Sequence, residues 1–308
     1  MQPAFSVIFL TVLIGAGQGL FLALYACELA GFGTTPDERL ALALGAGAAL
    51  VLNGLGLLAS FFHLGHPERA WRTAAMWRTS WLSREVIALP AFMAACAAWG
   101  GAHLLGLPGT RVVGALAALT CLALYLCTAM IYASIRFLQE WASPLTLLNY
   151  LLIGCASGTT LAALLASLRA PPIADALALA ALLLTLAALA GRAAALARNA
   201  RLAPRSTVQS AIGIKHPVIR QRAQGFMGGS FNTREFFHGR SAAALRGVKW
   251  FFLAAGFVLP ALLLAIGPAA PSVLLLAAVL QSAGLLAERW FFFAQANHPQ
   301  NLYYQAIS

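Results

Sequence analysis

The chain has 308 residues, of which 61% are hydrophobic and only 9% are charged. Soluble globular proteins carry about 25% charged residues, so this composition excludes an ordinary soluble enzyme and indicates a membrane protein. A net charge of +11 can indicate a protein that binds nucleic acid. The basic residues lie in a few loops between apolar runs, and no nucleic-acid motif accompanies them, so we expect no nucleic-acid partner.

Eight apolar stretches are long enough to cross a bilayer, which takes about 20 residues in a helix. They predict an all-α integral membrane protein, with one bundle of eight transmembrane helices over residues 1–308 and a long basic connection between the sixth and seventh helices at 200–246. Proline and glycine at the breaks end the helices for steric reasons. The predicted spans are 4–30, 39–62, 84–105, 111–135, 143–168, 174–199, 247–267 and 271–293.

Eight crossings place both termini on one side of the membrane, together with the loops that follow the second, fourth and sixth helices. This side, called side A, carries 17 of the 20 Lys and Arg residues, whereas the opposite side B carries only Arg39, Arg111 and Arg169. Lys and Arg collect in cytoplasmic loops, so the sequence predicts that side A faces the cytoplasm of a bacterial inner membrane. Basic loops at that surface also attract anionic membrane lipids.

Polar residues concentrate in the stretch 60–86, between the second and third predicted helices. Its Trp and Arg residues are typical of a membrane–water interface. A His that hydrogen-bonds a carbonyl and a Glu that relays protons suit a lipid-soluble quinone, and His63 and Glu85 end adjacent helices on side A. An ordinary cytoplasmic loop is the alternative. The predicted quinone-binding and proton-relay residues are His63, Glu85, His66, Arg69 and Arg84.

The chain shows no pattern for a cofactor of its own. A b-type haem in a bundle needs two His at membrane depth on facing helices, but the histidines lie in loops or at helix ends, so we predict no haem. The five Cys form no C-x-x-C pair, so we expect no metal site. No Walker loop, nucleophile elbow or dinucleotide fingerprint occurs, so we expect no catalytic residues in this chain. The histidines are His63, His66, His103, His216, His238 and His298.

Without a redox centre, the chain needs electrons from an iron–sulfur subunit docked on side A. The 200–246 connection, with two basic patches and paired Phe between glycines, predicts a docking loop, and a second charged and aromatic cluster follows at 288–304. A disordered basic loop near anionic lipid is the alternative. The predicted docking residues are Arg72, Arg78, Arg220, Arg222, Arg234, Glu288 and Arg289.

Three short motifs resemble the membrane anchor subunits of the DMSO reductase family, the DmsC type. They are His63-Leu-Gly before a Pro-x-Arg, Leu82-Ser83-x-Glu85, and the stretch from Gly284 to Glu288-Arg289. The resemblance implies a haem-free, eight-helix anchor that binds quinol at the positions of His63 and Glu85. It also implies two partner chains, a molybdopterin catalytic subunit and a four-cluster ferredoxin-like iron–sulfur subunit. His66 departs from the pattern of the bacterial reductases.

The charge bias favours one branch of that family. Reductase anchors place the partner-binding side in the periplasm, whereas here the bias places side A in the cytoplasm. The basic 200–246 connection and the tail at 297–301 are more similar to anchors of cytoplasm-facing, quinone-linked sulfite dehydrogenases, which implies electron flow from sulfite to ubiquinone or menaquinone. Alternatives are the anchor of an S- or N-oxide reductase that oxidises quinol and, in other classes, a transporter or a purely structural anchor.

Reporter fusions in the native membrane test the predicted orientation. Alkaline phosphatase needs disulfides that form in the oxidising periplasm, so a fusion after Leu107, on side B, should be active. A fusion after Lys215, on side A, should be inactive although it is expressed at a similar level. The opposite pattern of activities would place side A in the periplasm.

Overall fold

The protein is described by a computed structural model that covers residues 4–62, 64–203, 205, 207–219 and 242–296. These ranges are helical with no β-strand, and eight helices are long and apolar enough to cross a membrane. The predicted all-α fold with eight membrane helices is therefore confirmed. The helices are α1 (Phe5–Leu29), α2 (Pro36–Phe61), α3 (Trp81–Leu104), α4 (Thr110–Ala133), α5 (Pro144–Arg169), α6 (Pro171–Asn199), α7 (Ala243–Ile266) and α8 (Pro271–Ala294).

Three helices begin three residues before their predicted starts. We had placed Pro36 and Pro171 in the preceding turns, but both lie in the first helical turn, where a missing N–H costs nothing. Helix α3 begins at Trp81 because the Ser80 side chain caps it by accepting a hydrogen bond from the Ser83 N–H. The earlier start places Glu85 in the second turn of α3 rather than at its end.

The loop between α2 and α3 folds into a 3₁₀ helix, Pro67–Met76, which packs against α3. The α6–α7 connection contains a short helix, Val208–Ile212, closed by a left-handed Gly213. The remainder of the predicted docking loop, 220–241, and the tail from 297 lie outside the described residues.

Helices α1 and α5 form the centre of the bundle. Helix α1 packs against α2, α4, α5 and α8, and α5 packs against α1, α2, α4, α6 and α8. Glycines allow the close crossing, since a Cβ added to Gly19 would lie 2.0 Å from the Gly154 carbonyl oxygen. A Cβ added to Gly158 would lie 2.1 Å from the Leu20 nitrogen. The two backbones are thus in direct contact, as small residues permit in membrane helices.

We expect Gly158→Leu to destabilise the bundle because its side chain would meet the α1 backbone, which cannot move aside. Overpacking of this kind costs at least about 1–3 kcal/mol. The matched control is Gly47→Leu, at a lipid-facing position of α2 where an added Cβ meets no atom within 4 Å. Thermal unfolding of the purified subunit measures both, and equal midpoints would contradict the close crossing.

Candidate functional site

Glu85 is an ionisable group inside a membrane helix, with only 8% of its surface exposed. It lies in α3, and Thr128 of α4 donates its hydroxyl to Glu85 Oε1 at 2.5 Å. Acidic residues in membrane spans are costly to bury, so they occur where a polar partner and a functional role retain them. Glu85 is therefore the centre of the candidate site.

Glu85 lines a narrow cavity between α1, α3, α4, α5 and α8. The space open to the centres of water-sized molecules is about 20 Å³, enough for one water, which needs about 10–15 Å³. Pockets that bury an organic ligand measure about 300–1,000 Å³, so the cavity does not hold a quinone ring. Its polar walls are Thr11, Gln18, Glu85, Tyr125, Thr128, Tyr150, Ser157 and Arg289.

A buried group of charges adjoins this cavity. Arg192 Nε of α6 lies 2.7 Å from Glu288 Oε1 of α8, and Arg289 Nη2 lies 3.8 Å from Glu288 Oε2. The Arg289 guanidinium also stacks over the Tyr150 ring, with its Cζ 4.0 Å from the ring centroid. The three charged residues, called the Glu288 triad, are each at most 4% exposed. We had assigned Glu288 and Arg289 to partner docking, but both side chains lie inside the bundle, so neither offers a surface to a docked subunit.

The predicted site residues on the 3₁₀ helix form a separate, exposed group. His66 Nδ1 lies 3.1 Å from Glu68 Oε1, and Arg69 Nε lies 3.6 Å from the same oxygen. All three side chains are more than half exposed. Neither His66 nor Arg69 is among the residues that line the Glu85 cavity, so the structure does not bring them to Glu85.

Arg84 acts on the backbone rather than on the Glu85 carboxylate. Its Nε donates to the Trp77 carbonyl and its Nη2 to the Arg78 carbonyl, both at 2.8 Å. Its guanidinium lies over the Trp81 ring, 4.2 Å from the centroid. Arg84 thereby fastens the end of the loop to the first turn of α3, which fixes the position of the neighbouring Glu85.

Arg72 and Arg78 lie within reach of a docked partner. Each guanidinium lies over the ring of the preceding Trp, at 5.5 Å for Trp71 and 5.4 Å for Trp77, and both rings are more than half exposed. These pairs form an aromatic and basic surface on side A that is consistent with the predicted docking role. Four further predicted site residues lie outside the described residues: His63, Arg220, Arg222 and Arg234.

Sequence reasoning missed a buried pair on side B. His103 Nε2 lies 3.3 Å from Glu28 Oε1, and the Trp99 indole N–H donates to Glu28 Oε2 at 2.8 Å. Thr110 donates its hydroxyl to Glu28 Oε1. We had weighed His103 only as a haem ligand. The shared position of Glu28 and His103, at the side B ends of the first and third spans, was the signal that pairs them.

Arg192 was also missed as an interior residue, although it lies seven residues before the end of its predicted span. An Arg at that depth signals a buried acidic partner on another helix. Apart from such pairs, the described ranges contain no group of three or more His, Cys, Asp or Glu residues that could hold a metal ion.

The charge balance of the Glu288 triad predicts unequal effects of its variants. Glu288→Met leaves two buried cations without a counter-charge, and breaking a buried ion pair in this way costs roughly 3–5 kcal/mol. Arg192→Met leaves the neutral pair of Glu288 and Arg289 and should cost less. Thermal unfolding of the purified subunit ranks them, and an Arg192→Met protein less stable than Glu288→Met would contradict this balance.

Comparison with known proteins extends over the whole chain. The family model for the DMSO reductase anchor subunit, DmsC, matches residues 1–294. The chain is also 50% identical, over 326 aligned positions, to a protein of Allochromatium vinosum described as the C subunit of sulfite dehydrogenase. That alignment covers 100% of both chains. The matched region includes Glu85, the Glu288 triad and the side B pair.

Proposed function

Since the chain belongs to the DMSO reductase anchor subunit family, DmsC, we propose that it is the quinone-reactive membrane anchor of a sulfite-oxidising molybdenum enzyme. In this proposal a molybdopterin subunit oxidises sulfite to sulfate, and a four-cluster ferredoxin-like iron–sulfur subunit docked on side A passes the electrons on. The substrate of the anchor is a quinone dissolved in the bilayer. The identity with a protein described as the C subunit of sulfite dehydrogenase, over the full length of both chains, supports this direction of electron flow.

The observation that carries the quinone proposal is the buried Glu85, which accepts a hydrogen bond from the Thr128 hydroxyl. Quinone reduction consumes two electrons and two protons, and this chain's part is to handle the protons. A carboxyl group at the side A end of α3 can deliver a proton to a quinone oxygen. The resulting carboxylate can then regain a proton from the cavity beside it. The cavity beside Glu85 is water-sized, so we place the quinone ring at the end of the bundle and only protons inside it.

The other predicted residues have supporting roles in this proposal. His63 supplies a second hydrogen bond to the quinone. Arg84 holds the start of α3 so that Glu85 keeps its position. Arg72, Arg78 and the basic connection at 200–246 receive the iron–sulfur subunit. The excess of Lys and Arg on side A, 17 of 20, supports a cytoplasmic location for the partner subunits.

We expect Glu85→Gln to lower sulfite-dependent quinone reduction about 100-fold in the assembled complex, because the amide cannot donate and regain a proton. Sulfite oxidation with a water-soluble artificial acceptor should stay at the wild-type rate, since the partner subunits are unchanged. Glu85→Asp should retain more quinone reduction than Glu85→Gln, because it keeps an acid at this position. The control is Glu68→Gln, an exposed acid of the 3₁₀ helix, which should be neutral.

Full quinone turnover by an assembled Glu85→Gln complex would leave the chain a purely structural anchor. The sulfite assignment would be contradicted if sulfite oxidation persisted in the absence of the subunits that copurify with this chain. Quinol oxidation coupled to reduction of an S- or N-oxide, in place of sulfite oxidation, would favour a reductase anchor.

A further inference from the structure

Two water-sized cavities meet at the side chains of Tyr150 and Arg289. The first is the Glu85 cavity, and the second lies beyond Tyr150, among α5, α6, α8 and the α4–α5 loop. Tyr150, Ile153 and Arg289 are walls of both cavities, so a single layer of side chains separates them. The far end of the second cavity is formed by Glu140 and Asn199, which are partly exposed on side A.

The walls of these cavities carry buried polar atoms that no described residue satisfies. They include Asn149 Oδ1, Arg192 Nη2 and Arg289 Nε. Leaving a buried polar atom unpaired costs about 1–3 kcal/mol, and internal water usually supplies the missing partner. The second cavity offers about 10 Å³ to water-sized molecules, close to the lower limit of about 10–15 Å³ for one water. The walls of the two cavities thus offer internal water at least three polar atoms, and a buried water usually makes about three hydrogen bonds.

We propose that water in these two cavities forms a proton path from the side A surface to Glu85. The inference rests on the proposed function, since it assigns the route by which Glu85 regains its protons. The path enters at Glu140 and Asn199, passes Glu288 and the Tyr150 hydroxyl, and ends at Glu85. Carboxyl, hydroxyl and water groups carry the protons. The arginines stay protonated and act by holding Glu288 and orienting the water.

Among the described residues, an aromatic layer closes the path towards side B. Beyond Gln18, towards side B, the interior is filled by Phe21, Phe92 and Trp99, each 0% exposed. Phe21 packs edge to face on both other rings, with centroids 5.5 and 5.2 Å apart. This aromatic layer separates the Glu85 cavity from the Glu28–His103 pair, so the protons consumed by quinone come from side A.

The balance of the coupled reaction follows from this geometry. Sulfite oxidation with water yields sulfate, two protons and two electrons on side A, and quinone reduction takes up two protons and two electrons from the same side. No charge crosses the membrane, so turnover with sulfite in proteoliposomes should produce no membrane potential and no pH change in the compartment facing side B. A potential-sensitive dye and an entrapped pH indicator measure this, and either signal during turnover would overturn the one-sided path.

Tyr150→Phe tests the route itself, because it removes the hydroxyl but keeps the ring on which Arg289 stacks. We expect it to slow sulfite-dependent quinone reduction about 100-fold in the assembled complex, the low end of what positioned proton-transfer groups contribute. The solvent deuterium isotope effect should rise, while the rate at which sulfite reduces the partner's iron–sulfur clusters stays unchanged. Asn149→Leu replaces a polar wall of the second cavity with an apolar one. It should also slow quinone reduction and raise the isotope effect.

The matched control is Tyr25→Phe, which removes a hydroxyl that donates to the Arg111 carbonyl on side B, at 3.0 Å. It should leave both the rate and the isotope effect at wild-type values. Wild-type rate and isotope effect in Tyr150→Phe and Asn149→Leu would overturn the path while leaving the proposed function intact.

Radiolytic hydroxyl-radical labelling tests for the water without using quinone turnover. Radicals formed from internal water should modify Tyr150 in the assembled complex, whereas Trp99, in the aromatic layer, should remain unmodified. An unmodified Tyr150 would overturn the path whatever the turnover. If the wild-type complex oxidises sulfite but reduces no quinone, while Tyr150 is modified, the water path stands and the proposed function fails.

Discussion

The close crossing of α1 and α5 is the constraint on which the polar interior depends. Gly154 leaves room for the Tyr125 hydroxyl, which donates to the Gly15 carbonyl at 2.8 Å. Gly15, Gly154 and Tyr125 also line the Glu85 cavity. Larger residues at the crossing would separate the central helices and displace the cavity walls. The backbone contact therefore sets both the stability of the bundle and the size of the space beside Glu85.

Buried charged residues in the bundle lie beside polar or oppositely charged partners. Glu288 lies between two arginines, and Glu28 accepts hydrogen bonds from Trp99 and Thr110 beside His103. Each group draws its members from different helices, so it also fixes how those helices face one another. Among the described residues, Glu85 has one hydrogen-bond partner, the Thr128 hydroxyl. It is the acid with the fewest partners among these three, which suits a group that gains and loses a proton.

The two sides of the bundle have different chemistry. Side A combines the aromatic and basic surface of the 3₁₀ helix with the Glu85 cavity and the Glu288 triad. Side B has the buried Glu28–His103 pair behind the aromatic layer of Phe21, Phe92 and Trp99. An anchor that receives electrons from a docked partner needs its polar machinery on the docking side, and the asymmetry of the structure is consistent with that need.

The sequence by itself determined the eight spans, because hydropathy is a local property of the chain, and its charge bias predicts the sidedness of the loops. It also identified the family, since the Leu82-Ser83-x-Glu85 motif is local as well. Only the tertiary structure decided which charged residues are exposed. Glu288 and Arg289 resemble a surface pair in sequence, and they are buried because Arg192 approaches from α6 and Tyr150 from α5. Partners on other helices, about 100 residues away in the Arg192–Glu288 pair, follow from packing, which no local pattern encodes.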